Sequence, residues 1–234
     1  MPRRRIPSIQ DAVNAASPGN LIRICHGTYC EQLSISKSVR FDVANGAVLL
    51  PNNLIANTFG PTSNPIAAAV LVRESPLVDL GSLLVDTVNN GITECSPELM
   101  GIPYQNSSGS MDHPTVRNTK LSTSLNGCQS GEAIMVQSLS GGTSKVRIDH
   151  ASVHDYQKNG ITAKESGTEV TQFQFQLESF SAFVVPHAES FRIRKLNSRL
   201  SLLLTLVLTS SRSHLRCEAT SWQKACTHPT RNRP

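Results

Sequence analysis

The sequence predicts an all-β protein in which short parallel strands stack into a solenoid. Three observations support this class. Short apolar strand-like segments follow one another closely, and Gly or Asn bounds most of them. No long amphipathic helix follows residue 17, which excludes helical crossovers between the strands. Approximate internal repeats also occur, and self-similarity at a fixed period is typical of solenoids.

The chain is expected to begin with a short helix and continue with strands. Ile9, Ala12, Val13 and Ala16 fall on one helical face, and Pro18-Gly19 ends the pattern. The strand-like segments that follow are 21–25, 32–36, 39–43, 47–51, 68–74, 82–88, 110–116, 133–139, 145–153 and 160–163. A strand of about five residues with one apolar face cannot bury that face alone, so the strands must pack on copies of themselves.

The repeats favour a solenoid over the two other all-β arrangements, a sandwich and an up-and-down barrel. The segment 110–118 (SMDHPTVRN) resembles 147–155 (RIDHASVHD), and Asn-Gly-Ile recurs at 90–92 and 159–161. Sandwiches and barrels also use short strands and tight turns but do not require such repetition.

The charge and composition divide the chain near residue 171. The net charge of +5 comes from the C-terminal quarter: residues 1–171 hold 13 Lys/Arg and 14 Asp/Glu, whereas residues 172–234 hold 9 and 3. All 14 glycines lie at or before Gly167. We therefore expect an incomplete solenoid over 1–171 and an atypical basic Ser/Leu/Arg-rich tail over 172–234, the product of truncation or a shifted reading frame rather than a native domain.

Several classes of partner are not expected from the sequence. The Arg-rich end of the tail lacks the Gly spacing and the interleaved aromatic residues of nucleic-acid-binding arms, so no nucleic acid is expected. No apolar run reaches the length of a membrane span. The sequence also contains no glycine-rich phosphate loop and no Gly-x-Ser-x-Gly motif.

The motifs of the first 171 residues resemble a known family. Ile9-Gln10-x-Ala12-Val13-x-x-Ala16, Pro18-Gly19 and His26-Gly27-Thr28-Tyr29-x-Glu31 are similar to the entry region of pectin-lyase-like right-handed parallel β-helix proteins. The Asp-His-x-[Ser/Thr]-Val-x-[Asn/Asp] segments are similar to the coil repeats of that family. The resemblance covers about residues 6–171, and it implies a right-handed parallel β-helix with a capping N-terminal helix.

The resemblance also suggests sites for chemistry. The segment 146–150 (VRIDH) is similar to the Trp-Ile-Asp-His stretch of pectate lyases, which implies a Ca²⁺ site at Asp112, Asp149 and Asp155 for β-elimination. Arg147 replaces the tryptophan, and the arginine-containing catalytic block of the lyases is absent. A second resemblance, to pectin methylesterases, concerns Tyr29 and Glu31, which we interpret instead as a packing ring and a solvated carboxylate.

Histidines and cysteines give further expectations. His150 and His154 lie about 14 Å apart along a strand, so these two and His113 are interpreted as surface or coil-stacking residues rather than metal ligands. No Cys-x-x-Cys pair occurs. Cys95 and Cys128 are predicted to form a disulfide if the protein is exported, whereas Cys25 and Cys30 could be ordinary buried thiols.

The function expected from these observations is binding of an extended polysaccharide or another surface ligand, without turnover and without a cofactor. The alternatives are a pectate-lyase-like polysaccharide lyase, with Ca²⁺, or a hydrolase, and a purely structural surface module. The resemblance implies an extracellular or periplasmic location, although the N-terminal segment 1–10 has no apolar signal-peptide core. No catalytic residue can be assigned from the sequence.

Overall fold

A computed structural model describes residues 6–177, 183–184 and 190–194, with side chains through residue 171. The protein is all-β, with one short α-helix, α1 (Ile9–Ala15), and a 3-10 helix (Thr123–Leu125) in this part of the chain. The strands form an 11-stranded and an 8-stranded sheet, and every strand pair within the described residues is parallel except one.

The chain visits three stacks of strands in a repeating order. The first stack contains β1 (Asn20–Ile24), β4 (Val39–Val43), β9 (Val78–Asp79), β12 (Gly109–Asp112), β15 (Ser144–His154), β17 (Thr168–Leu177) and β19 (Ser190–Arg194). The second contains β2 (Gly27–Tyr29), β5 (Ala47–Leu49), β10 (Leu84–Asp86) and β13 (Thr115–Arg117). The long strand β15 also pairs with β13, which joins these two stacks into the 11-stranded sheet.

The third stack is the 8-stranded sheet. Its strands are β3 (Leu33–Ile35), β6 (Thr58–Phe59), β7 (Pro65–Ala68), β8 (Val70–Arg73), β11 (Glu98–Gln105), β14 (Glu132–Gln137), β16 (Asn159–Lys164) and β18 (Phe183–Val184). The pair β6–β7 is antiparallel and forms a hairpin, here called the hairpin insertion, at the edge of the sheet, where β7 also pairs with β11. The fold is thus compatible with a β-helix-like solenoid.

The spacing of contacts supports the solenoid interpretation independently. From residue 75 onward, most side-chain hydrogen bonds between neighbouring coils join residues 29 to 37 positions apart, such as Leu99 with Ser130 and Ser107 with Ser144. The disulfide between Cys95 and Cys128 spans a similar separation of 33 residues. One coil therefore takes about this many residues in the middle of the chain, and each strand contacts its equivalent in the next coil.

The interior between the stacks is apolar and closed to water. Leu33, Leu49, Val85 and Ile134 are all completely buried there. Tyr104 is the largest of the fully buried side chains, and its hydroxyl donates to the Val78 carbonyl at 3.0 Å. The hydrogen bond compensates for burying a polar group, and burial raises the pKa of Tyr104.

The helix α1 packs at the start of this interior and is capped from a distant part of the chain. Ile9 and Val13 are buried, and the Ser8 hydroxyl accepts from the Asp11 amide. The Glu31 carboxylate accepts from the Ser8 hydroxyl at 2.8 Å and from the amides of Ile9 and Gln10 at 2.7 and 2.9 Å. The interpretation of Glu31 as a solvated carboxylate is therefore wrong, because its carboxylate accepts hydrogen bonds from amides at the helix N-terminus that have no partner within the helix.

The boundary expected after residue 171 falls inside β17. That strand continues to pair with β15 in parallel register as far as Val153 and Leu177. Two further strands, β18 and β19, extend the stacks. The rest of the segment 172–234, including its expected origin in a truncation or a shifted reading frame, lies outside the described residues.

Candidate functional site

A cleft of about 180 Å³ lies on the outer side of the 8-stranded sheet. The hairpin insertion forms one wall, with Thr62 and Asn64 among its lining residues. Met100 and Met135 belong to a small apolar cluster, separate from the solenoid interior, and both line the cleft. Concave sites with an apolar surface and a few polar groups are the usual form of small-ligand sites.

Two lysines and a buried glutamate form an ion network at the cleft. Lys158 and Lys164 line it, and their Nζ atoms lie 3.2 and 2.8 Å from Oε1 of Glu132. Glu132 is only 1% exposed, and its Oε2 atom has no hydrogen-bond partner among the described residues. A buried carboxylate with one unsatisfied oxygen is costly unless a further donor reaches it.

Glu98 adds a second carboxyl group to the same cleft. Burial raises its pKa above 4.5, and repulsion from Glu132 acts in the same direction, while Lys158, Lys164 and a hydrogen bond with Asn64 oppose the shift. Glu98 lies two residues before Met100, which is the register partner of Glu132 in the next coil. Two carboxyl groups of neighbouring coils are therefore in different environments: Glu98 lines the cleft, whereas Glu132 is buried.

The pKa of Glu98 gives a testable pH dependence. Because the folded protein binds this proton more tightly than the unfolded chain, the ionisation of Glu98 lowers the free energy of unfolding as the pH rises through its folded pKa. We expect Glu98→Gln to remove this loss. The free energy of unfolding of the variant, relative to that of the native protein, should therefore be higher at pH 7 than at pH 4. The difference should be less than about 1 kcal/mol because the group is half-buried. Urea unfolding at both pH values measures the difference.

The exposed Glu94→Gln variant is the matched control for this prediction, since it removes one carboxylate away from the cleft. It should follow the native protein at both pH values. A Glu98→Gln variant that instead loses stability relative to the native protein as the pH rises would contradict the assigned direction of the shift.

A pair of glutamine side chains completes the polar part of the cleft region. Gln105 and Gln137 are register partners on β11 and β14, and Gln105 donates to the Gln137 side-chain oxygen at 3.5 Å. Gln105 is also held by Thr58, which donates to it at 2.6 Å. Nε2 of Gln137 is buried without a partner among the described residues, although Gln137 lines the cleft. Gln137 and Glu132 thus each have one buried side-chain atom without a hydrogen-bond partner among the described residues.

The aspartates considered for calcium have different partners. Asp112 and Asp149 are register partners on β12 and β15. Oδ2 of Asp149 lies 2.7 Å from Nε of Arg147, and Oδ1 of Asp149 is buried without a hydrogen-bond partner in the described chain. The strand register therefore places Asp112 and Asp149 next to each other in neighbouring coils.

Asp155 belongs to a different cluster. It contacts Nζ of Lys120 and Nδ1 of His154, both at 2.9 Å, and these hydrogen bonds lower the pKa of its carboxyl group. The calcium set of Asp112, Asp149 and Asp155 stays a prediction.

The cysteines and histidines can also be located. Cys95 and Cys128 are joined by a disulfide, with their Cα atoms 5.2 Å apart. Cys30 is disulfide-bonded and Cys25 is exposed, so the interpretation of both as buried thiols is wrong. The rings of His113 and His150 stack with their centroids 4.3 Å apart, as expected for side chains at equivalent positions of neighbouring coils.

The residues of the cleft were not predicted from the sequence, although a signal was present. The segments ELMGIPYQ (98–105) and EAIMVQ (132–137) both begin with Glu, end with Gln and are apolar between. Comparing them would have aligned Gln105 with Gln137, as the register does. The contributions of Lys158 and Lys164 could not be found this way, because their reach to Glu132 depends on the side-chain conformations.

The fold and cleft define a class: an all-β protein of stacked parallel strands with a charged cleft on its outer surface. No family model, curated protein or solved structure matches the chain. Among the described residues, no helix combines the length and apolar character that crossing a membrane requires.

Proposed function

We propose that this protein is a right-handed parallel β-helix module of the pectin-lyase-like type that binds an extended polysaccharide without turnover. The coil-by-coil parallel pairing supports the architecture, and parallel crossovers within a sheet are right-handed in the great majority of proteins. The disulfide between Cys95 and Cys128 supports an extracellular or periplasmic location, because such bonds persist in oxidising compartments.

The observation that carries the binding proposal is the combination of charged side chains and an apolar surface at one cleft. A sugar ring presents hydroxyl groups at its edge and C–H groups on its faces. Lys158 and Lys164 line the cleft and remain partly exposed, so their ammonium groups can donate to sugar hydroxyl groups. Met100 and Met135 can contact the C–H face. Since equivalent strands repeat at about 4.8 Å, a longer chain can continue along the sheet.

The binding test uses the full chain and two polysaccharides, polygalacturonate and neutral dextran, in affinity gels. We expect slower migration in at least one of them. Thr62→Trp introduces a large ring at the exposed rim of the cleft and should reduce the retardation at least tenfold. The control is Ile55→Trp, which adds the same ring at a site 70% exposed and outside the cleft lining, and it should bind normally.

The products separate this proposal from its alternatives. Binding with no new chain ends supports the binding module. Absence of retardation in both gels contradicts it and favours a structural surface module. Unsaturated products that absorb in the near ultraviolet, and that disappear on calcium chelation, would overturn it in favour of a lyase.

One observation favours hydrolysis as a second candidate function. Glu98 lines the cleft and retains its proton to a higher pH than usual, as a general acid requires. A hydrolase of this type would release new reducing ends, and Glu98→Gln would abolish their release while leaving retardation in the gel intact. Retardation without reducing ends excludes this candidate.

A further inference from the structure

A second group of polar side chains lies on the 11-stranded sheet, where the first and second strand stacks meet. Asp112 ends β12, and His113 follows it at the bend before β13. His150 occupies the equivalent bend within β15, because Asp112 and Asp149 are register partners. Both histidines have positive φ angles, 55° for His113 and 51° for His150. The same backbone conformation in successive coils directs their side chains to the same place.

Backbone hydrogen bonds to the coils on either side fix this arrangement. The His113 amide donates to the Asp149 carbonyl at 2.9 Å, and the Asp112 amide donates to the Gly81 carbonyl at 3.3 Å. Backbone hydrogen bonds between the coils, rather than the exposed side chains, thus set the positions of Asp112 and His113. A site built on such regular elements is better defined than one on a free loop.

The three side chains present metal-ligating atoms at short range. Oδ1 of Asp112 lies 2.8 Å from Nδ1 of His113 and 3.6 Å from Nδ1 of His150, and one ligand atom from each residue falls within 4.8 Å of the others. Metal–ligand bonds of about 2.0–2.2 Å place neighbouring ligand atoms about 3.0–3.5 Å apart. The two separations from Asp112 are close to these values, and side-chain rotations can bring the two histidine nitrogens, now within 4.8 Å, to the same range.

The donor types select the metal. Two imidazole nitrogens and one carboxylate oxygen suit Zn²⁺, Co²⁺, Ni²⁺ or Cu²⁺, whereas Ca²⁺ prefers six to eight oxygen ligands. The side chains of Asp112, His113 and His150 are 65, 61 and 44% exposed, which leaves room for water at the remaining positions. The near-parallel rings, 5° apart, must tilt for both nitrogens to face one ion, and their exposure permits that motion.

We propose that Asp112, His113 and His150 form a binding site for a divalent transition-metal ion of the zinc type. Nδ1 of each histidine and one carboxylate oxygen of Asp112 are the ligands. The metal joins two successive coils at their shared bend, as the Cys95–Cys128 disulfide joins residues 33 positions apart elsewhere. This site is independent of the polysaccharide cleft and does not rest on the function proposed for it.

The test titrates the full chain with Zn²⁺ in a calorimeter and with Co²⁺ in a spectrophotometer. We expect one site that requires both histidines, and Co²⁺ should give a visible absorption band. His150→Gln and Asp112→Asn should each weaken Zn²⁺ binding at least tenfold and remove the Co²⁺ band. Ca²⁺ should not compete at equal concentration.

His154→Gln is the matched control, because Nδ1 of His154 contacts Oδ2 of the adjacent Asp155 at 2.9 Å much as His113 contacts Asp112. It should leave Zn²⁺ affinity unchanged, since that pair belongs to no group of three ligands in the described part of the chain. Zn²⁺ binding that persists in a His113→Gln/His150→Gln double variant would overturn the assignment. Equal losses in His150→Gln and His154→Gln, or no binding by the native chain, would do the same.

Discussion

Gly109→Ala is expected to destabilise the protein by about 4 kcal/mol, a large share of the stability of a typical domain. Gly109 begins β12 with φ of +156°, which L side chains rarely adopt. A Cβ atom there would overlap the Val78 carbonyl oxygen and lie 2.8 Å from the Val78 nitrogen. Because both atoms belong to the backbone of the preceding coil, no side-chain rotation can relieve the overlap. Urea unfolding, or the loss of folded protein, measures the effect.

Gly141→Ala is the control for this substitution. Gly141 also has a positive φ, of 77°, but an added Cβ atom meets nothing within 4 Å. Only the backbone conformation is then disfavoured, so the loss should be about 1 kcal/mol. If the two variants lost the same free energy of unfolding, the backbones of neighbouring coils would not approach closely at Gly109, and the prediction would be wrong.

Glu132→Gln is expected to destabilise the protein by about 3 kcal/mol, because it leaves two cationic side chains without their shared anion. Oε1 of Glu132 accepts from Lys164 at 2.8 Å and pairs with Lys158 at 3.2 Å. The lysine side chains are only 20 and 29% exposed, so water compensates them incompletely. Chemical denaturation at neutral pH provides the measurement.

Two further variants isolate the cause of this effect. Glu169→Gln removes an ion pair of 3.5 Å between Glu169 and Lys145, whose side chains are 43 and 66% exposed respectively. This variant should lower the free energy of unfolding by less than about 1 kcal/mol. Glu132→Gln combined with Lys158→Met and Lys164→Met removes the whole network and should recover most of the loss. A triple variant less stable than Glu132→Gln would contradict the assignment of the loss to unpaired charge.

The repetitive features of the fold could be predicted from the sequence, since they follow from local patterns. The match of 110–118 with 147–155 corresponds to the observed register of Asp112 with Asp149 and of Arg117 with His154. The helix at Ile9–Ala15 follows from its apolar spacing. The hairpin Thr58–Phe59 with Pro65–Ala68 was missed, because an antiparallel pair of two to four residues gives almost no periodic signal.

The candidate site depended on information that the sequence does not display. Glu31 looked solvated because its partners lie 21 to 23 residues earlier in the chain. The cleft requires the hairpin insertion to cover the outer side of β11 and β14, and such long-range packing has no local pattern. Stacking of His113 on His150 was expected, but the position of Asp112 between their nitrogens depends on the side-chain geometry.

Hydrogen exchange in the presence of a polysaccharide that retards the protein tests the central claim most directly. When that polysaccharide is added, we expect slower amide exchange in the hairpin segment 60–64 and in strands β11, β14 and β16. Strands β10 and β13 of the other sheet should exchange at unchanged rates. Protection confined to the 11-stranded sheet, with none at the cleft, would contradict the assignment of the outer cleft as the sugar-binding surface.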